Sequence, residues 1–219
     1  MNTEIVSFYA DIDNRSYYSD HSKRLRKSCE DLGMPCDIRP LKTTGSYRMN
    51  CLAKPRFLLE ILKEKQKPFV WLDVDSIVHN SLEIFDDFKS DYDIAFAYSG
   101  TINLFLPKAS PIFLNNTPIV YEFLNYWVDA CEKNLHGTGR KVFDHEILIF
   151  EVLPSFFLRM KVKQLEAVYA IWPGQKLSTK ISPMITMGIA DGDSKRNSLV
   201  EMGMTPEAVE SNLIGNRYN

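Results

Sequence analysis

The sequence predicts an α/β fold, with a central, mostly parallel sheet flanked by helices. Two observations predict it. Apolar segments rich in β-formers alternate with helical patterns along residues 4–98, the order that builds parallel sheets. The run Phe69-Val70-Trp71-Leu72 is continuously apolar, as in a strand buried on both faces by crossover helices.

The elements follow in order. Residues 4–10 (EIVSFYA) form a short apolar run that ends in Asp11-Ile12-Asp13-Asn14, a strand running into a polar loop. Leu25, Cys29 and Leu32 recur at helical spacing, with Ser19 or Asp20 as cap and Gly33 as stop. Residues 36–41 read as a second strand. Pro55 suits the first turn of the next helix, whose apolar face is Leu58, Leu59, Ile61 and Leu62, and Pro68 closes the segment. Strands at 69–72 and 93–98 follow. In the second half, 111–114 is a strand and Thr117-Pro118 opens a helix carrying Phe123, Trp127 and Cys131. Asp144 starts an apolar helix that stops at Pro154. Residues 161–172 contain one or two strands, 183–190 another, and 205–215 a short helix. The chain reads as one domain, 1–219, with no repeat or linker.

Composition narrows the function. Of 219 residues, 45% are hydrophobic and 25% charged, with a net charge of −2; this excludes disordered and coiled-coil classes. The near-neutral balance gives no reason to expect nucleic acid or an anionic membrane as partner. Cys29, Cys36, Cys51 and Cys131 form no Cys-x-x-Cys pair, so structural zinc is not expected and reduced thiols are. No signal-like segment opens the sequence, and no apolar stretch approaches a membrane span, so a cytoplasmic location is expected.

The most informative segment is Phe69-Val70-Trp71-Leu72-Asp73-Val74-Asp75-Ser76. In open α/β sheets ligands bind beyond the carboxyl ends of the strands. The loops after Ala10 and Leu72 are expected to meet there. Asp73 and Asp75 sit two apart after a buried strand and point to one face. Such a pair suits a hard divalent cation, Mn²⁺ or Mg²⁺, which also accepts diphosphate oxygens. The alternative is a solvated strand end.

From Lys54-Pro55-Arg56-Phe57-Leu58-Leu59 through Asp73-Val74-Asp75-Ser76, the chain resembles the donor-binding half of metal-dependent GT-A glycosyltransferases. Its size resembles that of bacterial and large-DNA-virus members, the chlorella-virus capsid-glycan type in particular, for which host cytoplasm is the expected location. The resemblance implies a single GT-A domain, with a nucleotide-sugar half at 1–100 and an acceptor-side half at 101–219. It implies a UDP-sugar donor, a glycan or glycoprotein acceptor, and a metal on Asp73 and Asp75. Asp144-His145-Glu146 resembles the acidic position kept near the transferred sugar, so Asp144 and Glu146 are the catalytic candidates; N-capping by Asp144 is the plainer alternative. Several relatives add a His as third metal ligand near the C-terminal end. The corresponding stretch, residues 187–196, has none. Asp191 is the substitute, with a Gly-Asp turn as its alternative.

Further candidates surround this edge. Phe8, Tyr9 and Ala10 are placed to meet a nucleoside, and Asp11 and Asp13 to touch ribose or base. Arg48 and Lys54 are cations for phosphate, as are Lys195 and Arg196; each is otherwise a surface cation. Two other functions compete. In a haloacid-dehalogenase-type phosphohydrolase the Asp pair ends the first strand; here two strand–helix units precede it and Ile77 stands where Thr or Val is usual. A non-catalytic sugar-nucleotide-binding module would not need an intact metal pair. A nucleotidyltransferase would need a Gly-rich N-terminal loop, and no Gly precedes Gly33.

Overall fold

The computed structural model describes residues 2–13, 15–98, 107–172, 182–188 and 190–218. Strands β1 (Glu4–Tyr9) and β2 (Cys36–Pro40) are joined by α1 (Tyr17–Asp31). Two helices, α2 (Tyr47–Leu52) and α3 (Lys54–Lys65), lead to β3 (Phe69–Trp71). Then come β4 (Ile77–Val78), α4 (Ile84–Phe88), β5 (Ile94–Tyr98), β6 (Pro107–Leu114) and α5 (Pro118–His136). The helical run α6 (Asp144–Ile147), a π-helical turn (Leu148–Val152) and α7 (Leu153–Phe156) precedes β7 (Val162–Leu165). The chain closes with β8 (Ile185–Thr186), α8 (Gly192–Glu201) and α9 (Pro206–Tyr218).

The main sheet has six strands in the order β2-β1-β3-β6-β5-β7. Its β1–β2, β1–β3 and β5–β7 pairs are parallel; β6 runs antiparallel to both its neighbours. Alternation along the strands sorts the core into two layers. Val6, Phe8, Phe69, Trp71, Phe96 and Ile112 face α3 and α5. Ile5, Val70, Leu72, Ala95 and Phe113 face the α1 and α4 side. Both faces are therefore covered, as the apolar run at 69–72 requires.

This topology builds the ligand edge. β1 pairs with β2 on one side and β3 on the other, so the strand order reverses at β1 and leaves a crevice beyond the carboxyl ends of β1 and β3. Because β6 is reversed and Trp71 pairs with Ile112, the start of β6 arrives at that same crevice.

Several expectations are corrected. α1 starts at Tyr17 rather than at a Ser19 or Asp20 cap, because Asp11 Oδ1 accepts from Tyr18 N and Ser19 N at 2.9 and 3.0 Å. The helix opened by Asp144 passes through Pro154 to Phe156. Its turn before the proline is π-helical, with Leu153 N–H reaching back to Leu148 O; the wider turn accommodates a ring that lacks a donor. β6 begins at Pro107, ahead of the expected residue 111. Helices α2, α4 and α8 were not expected. Among the described residues no helix is long and apolar enough to cross a membrane, and all four cysteines are free.

Arg48 is a clamp in this architecture. It is buried, its Nε donates to Val142 O at 3.0 Å and its guanidinium also reaches Asn134. Its backbone N–H donates to Ser198 Oγ at 3.1 Å. α2 is thereby tied to the segment after α5 and to α8. Removing the guanidinium takes a donor from the half-buried main-chain carbonyls of Val142 and Asn134, at about 1–3 kcal/mol. Arg48→Ala is expected to lower the unfolding free energy by that amount, read as a lower denaturant midpoint at unchanged slope; an unchanged midpoint would show the clamp to be idle.

Candidate functional site

A cleft of ≈ 1240 Å³ opens at the crevice. Its floor is the end of β3 and its walls come from the β1 loop, α1, α2, the start of β6, the start of α6 and α8. Phe8, Tyr9, Ala10, Lys54, Asp73, Asp75, Asp144 and Lys195, all anticipated from sequence, line it.

Lys54 is the centre of the charge arrangement. It is 6% exposed, yet its Nζ lies 3.0 Å from Asp73 Oδ1 and 2.9 Å from Asp144 Oδ2. It also stands 5.4 Å from the centroid of the Trp71 ring. Burial alone would lower its pKa; Asp144 and then Asp73 offset this and hold it above the ordinary lysine value. The N-terminus of α3, the end of β3 and the start of α6 are thus joined by one ammonium group.

Asp73 is fixed further by Trp71 Nε1, which donates to Oδ1 at 3.0 Å, and by its own N–H, which donates to Ser110 Oγ at 2.9 Å. Asp75 has no such partner: among the described residues no cation forms an ion pair with it. Enclosure deep in the cleft, and then the neighbouring Asp73 charge, push its pKa up to about 7. Gly188 packs directly on it. A Cβ at residue 188 would stand 2.4 Å from Asp75 O and 2.6 Å from its Cβ.

These residues fit a divalent cation as a two-carboxylate site. Asp75 is an enclosed carboxylate beside a second one, with no ion-pair partner among the described residues, and both offer hard oxygen donors. Among the described residues no group of three His, Cys, Asp or Glu gathers to hold a metal. Asp191 accordingly stands apart from the pair. It caps α8, accepting from Ser194 N at 3.2 Å, and forms an ion pair with Arg15 at 2.5 Å. The turn alternative describes its contacts.

Three more anticipated residues lie outside the cleft lining. Asp11 caps α1, as described above. Arg48 is the buried clamp and faces no phosphate site. Glu146 turns back on its own helix, where Oε2 accepts from Phe143 N at 2.9 Å. This capping satisfies an N-terminal donor of α6 and removes Glu146 from the catalytic candidates that face the cleft. Arg196 lines the cleft but is paired with Glu210.

The cleft also holds residues that sequence reasoning did not single out. Tyr17, Tyr18, Tyr47 and Phe143 form an aromatic wall, with Tyr18 and Tyr47 stacked at 6.3 Å and Phe143 edge-on to Tyr47 at 5.7 Å. Phe8, by contrast, packs its ring against Phe57 and Trp71 at 5.1 and 5.3 Å. Ser110, Lys108 and Trp172 complete the β6 side. Neither these aromatic residues nor Lys108 carried a sequence signal that pointed to the cleft.

No protein-family model matches the chain, and no curated protein does. Solved structures do. A glycosyltransferase involved in the glycosylation of the major capsid of PBCV-1 matches with a TM-score of 0.64 at 9% identity, over 91% of this chain and 99% of that one. The glycosyltransferase GlyE of Streptococcus pneumoniae TIGR4 matches with a TM-score of 0.56 at 18% identity, over all of this chain and 65% of that one. Its apo form matches at 17% identity with the same TM-score. At these identities the likeness is one of fold: the chain has the α/β architecture of known glycosyltransferases.

The contact between Gly188 and Asp75 yields a direct test. Overpacking costs about 1–3 kcal/mol. Gly188→Ala is expected to lower stability by that amount and to weaken Mn²⁺ binding in a titration, because Asp75 or its neighbour must shift. Gly139→Ala, where a Cβ meets nothing within 4 Å, is expected to change neither. Equal behaviour of the two variants would contradict the close packing on Asp75.

Proposed function

We propose that the chain is a GT-A-type glycosyltransferase that moves a sugar from a UDP-sugar to an acceptor hydroxyl on a glycan or glycoprotein, in the cytoplasm, with residues 1–219 acting as one catalytic unit. The observation that carries this reading is the carboxylate pair Asp73 and Asp75. It opens onto a large cleft at the strand-order reversal of a sheet whose solved likenesses are glycosyltransferases.

Asp73 and Asp75 would hold Mn²⁺ or Mg²⁺. Bound there, the ion supplies charge neutralisation for the diphosphate that leaves the anomeric carbon. The protein's own groups divide the remaining work. Lys54 fixes the Asp73 carboxylate in place from 3.0 Å. Lys195 reaches the cleft from the first turns of α8 without a carboxylate partner among the described residues, and is the cation for diphosphate oxygens. Tyr9 and the aromatic wall of α1 and α2 offer apolar surface to the nucleoside base. Main-chain groups at Ala10 stand at the end of β1 to read its edge.

Asp144 is 2% exposed and committed to Lys54. That pairing favours orientation of a sugar hydroxyl by the carboxylate over free proton abstraction. Burial at the cleft wall also limits water at the reacting carbon.

UDP should bind much more weakly without a divalent ion, since the two carboxylates would then face the diphosphate unshielded. Calorimetric titration of UDP with Mn²⁺ and then with a chelator tests this; equal affinities would remove the metal-bridged reading. Asp75→Ala is expected to keep the fold and to lower transfer from UDP-sugars by about 10²–10³ or more, the scale of losing a preorganised charge contact. A folded variant with near-normal turnover would refute the assignment. Phosphate release from a generic phosphomonoester would point to a hydrolase instead.

A further inference from the structure

Lys54 and Lys108 both bring an ammonium group to the cleft, but their charges are met differently. Lys54 lies between two carboxylates. Lys108, where β6 enters the cleft, donates to Ala170 O at 2.8 Å and stands 5.6 Å from the centroid of the Trp172 ring. Among the described residues no carboxylate pairs with it. The segments 99–106 and 173–181, which adjoin Pro107 and Trp172 in the chain, contain no Asp or Glu. Neither segment can supply the missing charge.

Among the described residues, Lys108 therefore meets a neutral carbonyl and an indole ring. Burial, with nothing to oppose it, draws its pKa down to about 8. An ammonium withdrawn from water without a counter-charge is costly, and a ligand anion would offset that cost. Most other charged groups that line the cleft already face a partner, and Asp75 is the carboxylate assigned to the divalent ion. Asp73 and Asp144 face Lys54, Asp193 faces Arg15, and Glu210 faces Arg196. Lys195 approaches from α8, a different wall, where it joins the proposed divalent ion in meeting the diphosphate. Lys108 is left for a second anionic group. A single ammonium suits a monoanion such as a carboxylate better than a phosphate dianion, which ordinarily gathers several donors. Trp172 beside it offers a flat apolar face of the kind that packs against the C–H face of a pyranose ring.

We propose that Lys108 and Trp172 form a subsite for a carboxylated pyranose, so that a sugar handled in this cleft is a uronic acid. The inference rests on the glycosyl-transfer reading of the same cleft and names its substrate class. The uronic acid can enter as the donor's sugar or as the acceptor's terminal residue, and the chemistry at Lys108 is the same.

Calorimetry separates the sources. One arm compares UDP-glucuronate with UDP-glucose in Mn²⁺. The other compares methyl glucuronide with methyl glucoside, with and without UDP and Mn²⁺. In at least one arm the wild type is expected to favour the carboxylated ligand about tenfold or more, the scale of one charge-assisted hydrogen bond. Lys108→Met should bring the ratio of the two affinities to about one, and Lys108→Arg should preserve most of it. The ratio in the wild type is decisive even if a variant fails to fold. No carboxylate preference in either arm, or a preference that survives in Lys108→Met, would overturn the subsite. Failure of UDP to bind in Mn²⁺ would instead overturn the transfer reading, while the glycoside arm without UDP still reads Lys108.

Discussion

The ammonium group of Lys54 is the interaction on which the site depends. It is buried, so it must be paired, and it takes its partners from two distant parts of the chain, Asp73 at the end of β3 and Asp144 at the start of α6. Losing either carboxylate leaves charge unmet in the wall of the cleft. The arrangement also separates the two aspartates in role. Asp73 is held by Lys54 and Trp71; Asp75 lines the cleft with Gly188 packed against it and no ion-pair partner among the described residues. On that asymmetry rests the proposal that the pair receives a cation rather than forming one more internal salt bridge.

The sheet supplies the geometry for this. Reversal of strand order at β1 opens the crevice, and the antiparallel β6 brings Ala109, Ser110 and Lys108 to the same edge. Ser110 receives the Asp73 N–H, and the Ala109 carbonyl lies 3.4 Å from Lys54 Nζ. One reversed strand thus braces the acidic pair and also brings to the same cleft a lysine with no carboxylate partner among the described residues.

Much of this was legible in the sequence because its signals are local. A continuous apolar run marks a doubly covered strand, and carboxylates at its end mark the ligand edge. The misses have two physical causes. For α8 the sequence GDSKRNSLVE has no apolar stripe; only the cap, Asp191 with Ser194 three residues on, carried a local signal, and the same Asp also suited a metal. For Arg48 the partners are Asn134 and Val142, far along the chain, so no reading of its neighbourhood distinguishes a buried clamp from a phosphate ligand. Asp11 and Glu146 are intermediate cases: both bond to the start of the helix nearest in sequence, Asp11 seven and eight residues ahead and Glu146 three residues back, whereas among the site candidates capping was an expectation for Asp144 alone. Lys108 could not be found from sequence, because its significance is the absence of a carboxylate, which only packing reveals.

The central claim is that Asp73 and Asp75 join the nucleotide diphosphate through a divalent ion. A crystal structure with UDP and Mn²⁺, using anomalous scattering to locate the manganese, tests it most directly. The account predicts one manganese peak in contact with both carboxylates and with diphosphate oxygens, and the base against the aromatic wall of α1 and α2. Manganese away from the aspartates, or UDP bound with its diphosphate outside this cleft, would contradict it.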